Sequence, residues 1–66
     1  MSVAKITEIS SQSDTSFDDA IKQGIARASK TVKNITGLWI KEQIAVVDNG
    51  AITSYRVLMK VTFVLK

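Results

Sequence analysis

The amino-acid sequence predicts an α+β fold of order β-α-β-β, in which a three-stranded antiparallel sheet is wrapped around one helix. Apolar residues recur at spacings of three and four between Phe17 and Ile35, which is the period of an amphipathic helix. Residues 51–66 instead follow a two-residue period, which is typical of a long strand. The turn residues Asn49 and Gly50 separate this strand from an earlier alternating segment, which indicates an antiparallel hairpin.

The first strand is predicted over Val3–Ser11 and is followed by a polar loop. Its apolar members, Ile6 and Ile9, have opposite parity and cannot share a face in a regular ladder. We therefore expect either a bulge or a two-sided environment for this strand. The polar run 10–15 then breaks the pattern and predicts the loop.

The helix is predicted to begin after Ser16, whose hydroxyl can accept hydrogen bonds from the free amides of the first turn. Its apolar stripe is long enough for about five turns. Gly24 and Ala28 lie on this stripe, and their small side chains allow the helix to approach the sheet closely. The segment 34–37, with its asparagine and glycine, is expected to end the helix.

The second strand is predicted over Leu38–Val47 and the third over Ala51–Lys66, joined by the turn at residues 48–50. Alternation assigns one face of the third strand to the core, with Tyr55, Val57, Met59, Val61, Phe63 and Leu65. The second strand should send Leu38, Ile40, Ile44 and Val46 to the same side. The opposite face would carry Trp39, Ala45, Val47, Leu58 and Val64. A face this apolar predicts a partner, and homo-oligomerisation is the simplest one.

The composition limits the chemistry of the protein. The chain has 66 residues and contains neither cysteine nor histidine, which excludes disulfides, zinc sites built on those ligands and histidine-based catalysis. No spacing of the remaining groups singles out a nucleophile and its base, so we expect no enzyme, no catalytic residues and no metal site. A single domain of this size, residues 1–66, is marginally stable alone, which again favours assembly.

Charge and hydropathy argue against two further classes of partner. The net charge of +3 is spread along the chain, without the basic cluster or aromatic platform that nucleic-acid binding requires. No apolar run reaches the roughly 20 residues of a membrane span, and residues 1–10 lack the apolar core of a signal peptide. We expect a cytoplasmic protein that binds neither nucleic acid nor membrane.

Four residues are candidates for ligand binding. Trp39 can stack on a flat aromatic ligand or be buried at a subunit interface. Arg56 can bind a ring carbonyl or a phosphate, or be a solvated or paired arginine. Gln43 has the parity of Trp39 and would offer an amide donor and acceptor on the same face. Glu42 has the opposite parity, so it is expected among the inward residues, where its carboxylate needs a lysine, a metal ion or a ligand hydroxyl.

The chain resembles the dodecins over essentially its whole length. The matching segments are Ser16-Phe17-Asp18-Asp19-Ala20-Ile21, Ala26-Arg27-Ala28-Ser29-Lys30-Thr31-Val32, Tyr55-Arg56-Val57 and Lys60-Val61-Thr62-Phe63. The resemblance implies a sheet wrapped around one helix and a hollow homododecamer of cubic symmetry. Many dodecins bind flavins, such as riboflavin or FMN, in pairs between aromatic side chains for storage or sequestration.

This sequence departs from the flavin-binding dodecins at two positions. Their usual tryptophan aligns with Gly37, and Trp39 stands two residues later, where their glutamate would be. Arg56 replaces a glutamine that reads the flavin ring edge, while Glu42 retains an acidic position that contacts the ribityl chain in some members. Ile44 and Val64 replace the arginines of members that bind coenzyme A, so that activity is not expected.

The resemblance leaves two interpretations. In the first, the protein is a flavin-binding storage dodecin. In the second, the shell does not hold flavin in the usual way, and it binds a cation or another small molecule or is chiefly structural.

Overall fold

The computed structural model describes residues 3–65 and contains one helix and three strands. In chain order these are β1 (Val3–Ser13), α1 (Phe17–Ala28), β2 (Ile35–Asp48) and β3 (Ala51–Leu65). The strands form one antiparallel sheet of order β1-β3-β2, so that β3 is the central strand. α1 packs against β1 and β3 on one face of this sheet. The predicted order and the three-stranded antiparallel sheet are confirmed, while Lys66, the predicted last residue of the third strand, lies outside the described residues.

The core lies between β3 and α1. Val57, Met59 and Val61 occupy alternate positions of β3 and are completely buried, as is Ala20 of the helix. Other apolar side chains pack around them in a partly buried shell: Ile9, Phe17, Ile21, Leu38 and Ile40. Leu65 was expected in this core but is 51% exposed, because it pairs with Val3 at the end of the sheet. The core is therefore narrow and centred on the middle of β3.

The start of α1 is fixed by a cap, as the sequence predicts. The Ser16 hydroxyl accepts a hydrogen bond from the Asp19 amide at 3.0 Å. The Asp19 carboxylate in turn accepts hydrogen bonds from the Ser13 hydroxyl at 2.5 Å and from the side-chain amide of Gln23 at 2.6 Å. Ser13 was assigned to a loop, but it is the last residue of β1, and its hydroxyl also accepts from the Thr15 amide at 2.9 Å.

The helix ends much earlier than its apolar stripe suggests. α1 has 12 residues, or about three turns, instead of about five. Residues 29–31 form a turn in which the Thr31 hydroxyl donates to the Ala28 carbonyl at 3.4 Å. Asn34 then takes a positive φ of 64°, and β2 begins at Ile35, three residues before the predicted start. Serine, threonine and valine here are weak helix formers, which explains the early end.

Gly24 provides the close approach of helix to sheet that the sequence predicts. A Cβ atom at this position would lie 2.6 Å from the Met59 Cε atom and 3.0 Å from the Ser11 Cβ atom. A larger residue fits there only if the end of the Met59 side chain and Ser11 move.

β1 pairs with β3 in one unbroken register from Val3↔Leu65 to Ser13↔Tyr55. The two-sided environment predicted for β1 is therefore confirmed, and the alternative, a bulge, is wrong. Ile9 faces the helix and joins the core, whereas Ile6 points to the other side and is 52% exposed.

The bulge lies instead in β2. Ile40 pairs with Met59 and Glu42 pairs with Leu58, which leaves Lys41 as an extra residue without a directly paired partner. Every side chain immediately after this bulge changes face relative to the predicted alternation. Gln43 and Ala45, expected away from the helix, now pair with the helix-facing Val57 and Tyr55. Glu42 and Ile44, expected in the interior, move to the opposite side for the same reason.

The β2–β3 turn has the predicted chemistry. Asn49 and Gly50 have positive φ values of 52° and 80°, as a two-residue hairpin loop requires. Further register shifts occur near both ends of β2, at Ile35/Gly37 and Val46/Val47.

Candidate functional site

The sheet face that points away from α1 is called the outer face. In antiparallel pairing, directly opposed residues share a face, so the register defines its members. They are Ala4, Ile6, Glu8, Ser10 and Gln12 of β1, Ser54, Arg56, Leu58, Lys60, Thr62 and Val64 of β3, and Gly37, Trp39, Glu42, Ile44 and Val46 of β2.

Trp39 lies on the outer face, as its parity predicts. It is directly opposite Lys60, and 46% of its surface is exposed. The Lys60 ammonium lies 5.8 Å from the centroid of the indole ring, within the range of a cation–π contact. The indole therefore presents a flat aromatic surface with a cation over part of it.

Charged residues border this indole. The Lys41 ammonium lies 3.6 Å from the Glu8 carboxylate, an ion pair that reaches across β3 from β2 to β1. Both side chains are nearly half exposed, so the pair contributes about 0–1 kcal/mol to stability. The ion pair also orients the Lys41 side chain, because it holds the ammonium group near Glu8 on the outer face.

Arg56 lies on the same face but not directly across from Trp39. It is opposite Ile44 and two outward positions along β3 from Lys60, a separation of about 13 Å. Its Nε and Nη2 atoms both donate to the Gln12 side-chain oxygen at 3.1 Å. The guanidinium is thus oriented while its remaining donors are available to a ligand.

Of the four predicted site residues, the structure brings three to the outer face. Glu42 lies opposite Leu58, between the positions of Trp39 and Arg56 along the sheet. The expectation that Glu42 points inward is wrong because of the bulge at Lys41. Gln43 is opposite the core residue Val57 and faces the helix side, so its predicted place beside Trp39 is also wrong.

Sequence reasoning places Lys60 and Lys41 on this face by parity but does not select them, or Gln12 and Glu8, as ligand-binding residues. The parity of Lys60 on β3 was a usable signal, because it matches Arg56. Gln12 lies in the polar run that predicts a loop, so the sequence gives it no face of the sheet. Nothing in the sequence marks Lys41 as a bulge residue.

Residues 3–65 contain no group of three or more carboxylate side chains placed to hold a metal ion. Within the same range, no helix has the length and apolar character needed to cross a membrane.

Comparison with protein families decides the relationship. The family profile named Dodecin matches residues 3–66. The chain belongs to the dodecin family. A curated relative, the calcium dodecin of Mycobacterium tuberculosis, is 32% identical over 66 residues, which cover 100% of this chain and 93% of the relative.

Solved dodecin structures share the fold. The dodecin from Streptomyces davaonensis is 34% identical, with a TM-score of 0.92 over 98% of this chain and 96% of the other. The crystal structure of the calcium dodecin of Mycobacterium tuberculosis, described as calcium-chelating with a novel calcium-binding site, is 30% identical. Its TM-score is 0.83, over 97% of this chain and 91% of the other.

The position that the resemblance assigns to the tryptophan of flavin-binding dodecins is open in this chain. Gly37 lies on the outer face opposite Thr62, and a Cβ atom built there would meet nothing within 4 Å. Trp39 is two residues further along β2 and is the aromatic residue of the outer face within the described chain.

Proposed function

We propose that this dodecin, residues 1–66 as one domain, assembles into a hollow homododecamer that binds flavins of the riboflavin and FMN class. Its role would be storage or sequestration, without catalysis. The observation that carries the proposal is the shared outer face, where the half-exposed indole of Trp39 lies on one surface with Glu42 and Arg56.

Trp39 supports the binding of the flat flavin ring. An exposed indole on a strand can stack with an aromatic ligand, and such a pair contributes about 0.5–1.5 kcal/mol beyond the buried area. Lys60 covers part of the ring surface in the free protomer. Since lysine is flexible, a stacking ligand displaces its ammonium to the ring edge.

Arg56 and Glu42 support the binding of the flavin side chain. The guanidinium uses two donors on Gln12, and its other N–H groups can donate to a phosphate. The Glu42 carboxylate, between Trp39 and Arg56, can accept from the hydroxyls of a ribityl chain. The three groups therefore follow the order of ring, polyol and phosphate in FMN.

The test is a titration of riboflavin and FMN followed by quenching of flavin emission. The parent protein should quench strongly at micromolar flavin, and Trp39→Ala should lose most of the quenching. Ile44→Ala is the matched control, since Ile44 is an exposed apolar residue of the same face. Equal binding and quenching by the parent and Trp39→Ala would show that Trp39 is an interface residue.

Calcium is a second candidate ligand, supported by the similarity to calcium dodecin. The outer face carries two exposed carboxylates, Glu8 and Glu42. The described residues of one protomer bring no three such groups together, so the proposed site takes further oxygen ligands from neighbouring subunits, from backbone carbonyls or from water. Calorimetric titration with calcium chloride tests this: Glu42→Gln should weaken binding, while Asp18→Asn on the helix surface should not.

A further inference from the structure

The β2–β3 hairpin extends beyond the rest of the protomer. β1 ends at Ser13, opposite Tyr55, so residues 46–53 form a two-stranded ribbon without a third strand. We call residues 46–53 the hairpin tip. Its cross-strand pair Val47 and Ile52 is 62% and 55% exposed. Two isolated strands are marginally stable in water, so an exposed apolar tip indicates a contact outside its own protomer.

The protomer also has an unfilled groove, between the C-terminal half of α1 and β1. Its volume is about 590 Å³. The apolar part of its lining consists of Ile9, Ala28, Val32 and Val61. The rest of the lining is mostly polar: Gln23, Arg27 and Thr31 on the side of the helix, and Thr7, Ser10 and Ser11 on the side of β1. We call this the α1–β1 groove.

The charges of the tip and the groove are complementary. Asp48 follows Val47 at the tip and is exposed, and Arg27 at the groove is exposed as well. Within residues 3–65 neither side chain forms an ion pair. An acidic, apolar tip thus matches a groove that has an apolar floor and a cation at its edge.

The tip cannot reach the groove of its own chain. Ile52 at the tip and Val61 in the groove lie on the same extended strand, nine residues and about 30 Å apart. Any tip that fills this groove must belong to another molecule.

We propose that the hairpin tip of one protomer docks into the α1–β1 groove of a second copy. Val47 and Ile52 lie against the apolar floor, and Asp48 pairs with Arg27. The contact is heterologous, because different surfaces of the two copies meet, and such contacts close into rings when the rotation permits. The interface rests on the proposed homo-oligomer and assigns one of its contacts.

Charge reversal tests the ion pair in the full-length protein by light scattering. Arg27→Glu and Asp48→Arg should each reduce the assembled fraction, and the double variant should recover it. Lys22→Glu is the control with the same charge change, because Lys22 pairs with Asp18 and does not line the groove. Circular dichroism shows whether each variant retains the fold.

Disulfide trapping tests the contact itself, since the chain contains no cysteine. On oxidation, Ile52→Cys with Gln23→Cys should form covalent oligomers, whereas Ile52→Cys with Lys22→Cys should not. A parent protein that is monomeric would overturn both the assembly and this interface. An assembled parent with no cross-link, or with equal cross-linking in both pairs, would overturn the interface alone.

Discussion

In the proposed flavin site, Arg56 is the residue best placed to distinguish phosphorylated from unphosphorylated ligands. Gln12 orients the Arg56 guanidinium. Arg56 lies about 13 Å along β3 from Lys60, the residue opposite Trp39. A hydrogen bond to a charged group contributes about 1.5–3 kcal/mol, and solvent exposure lowers this value. We therefore expect Arg56→Ala to weaken FMN binding roughly fivefold to tenfold and riboflavin binding much less.

The measurement is a parallel titration of both flavins into the parent and the variant. Arg56→Lys is the matched control, since it keeps the charge but loses the planar fork, and its effect should be intermediate. Equal weakening of FMN and riboflavin would place the phosphate elsewhere.

Gly37 offers a gain-of-function prediction. A Cβ atom at this outer-face position meets nothing within 4 Å, and we expect Gly37→Trp to fold. It would restore an indole where flavin-binding dodecins carry one, and we expect tighter flavin binding and stronger quenching. Gly37→Leu adds bulk without an aromatic ring and should not produce the gain. A Trp variant that folds and assembles but binds no better than the parent would contradict the proposed ligand surface.

The exchange of Glu42 and Gln43 between the two faces shows what limits prediction at this scale. One unpaired residue, Lys41, reverses the alternation after it, and no glycine or proline marks the position. Trp39 precedes the bulge, and Arg56 lies on β3, whose alternation is unbroken from residue 54 to residue 65. Those two were therefore placed correctly.

At the scale of the helix, the N-terminal cap gives a stability prediction. Ser16→Ala removes the acceptor of the Asp19 amide and should lower the free energy of unfolding by about 0.5–2 kcal/mol. Thermal melting under conditions that dissociate the assembly reversibly measures this. Ser29→Ala, after the last helical residue, is the control. An unchanged midpoint for Ser16→Ala would assign the cap to another residue.

A substitution at Gly24 tests the packing between helix and sheet by adding atoms at a close contact. Alanine would gain about 1 kcal/mol in helix propensity, but its methyl group would clash with Met59 and Ser11, and overpacking costs about 1–3 kcal/mol. We expect Gly24→Ala to be destabilised by roughly 1 kcal/mol overall. Adding Met59→Leu, which removes the Cε atom, should recover part of the loss. If Gly24→Ala alone stabilised the protein, Met59 and Ser11 would have to rearrange at little cost in free energy.

The two ends of α1 differ in how well the sequence predicts them. The start is encoded locally, by a serine followed by two aspartates, and it was predicted correctly. The end was not, because Val32 and Ile35 continue the apolar spacing after the backbone has left the helix. Both side chains are partly buried, Val32 in the segment after the turn and Ile35 at the start of β2, and periodicity alone does not distinguish these contexts from a helix.

The whole protomer is extended for its size. Its radius of gyration is 13.6 Å, whereas a compact chain of this length would have about 11 Å. Its longest dimension is 50 Å, and one face of the sheet has no covering layer within the described residues. Sequence parity already indicated this uncovered face, because β3 alternates cleanly and one helix covers only one side. The proposed contacts between copies depend on residues from two chains, so local sequence patterns do not predict them.

The central claim is that copies of the chain complete this fold and build the ligand surface. Light scattering of the purified full-length protein tests it most directly. We expect one species with a mass near twelve chains of 7.2 kDa each. A monodisperse species at the mass of one chain would contradict the account.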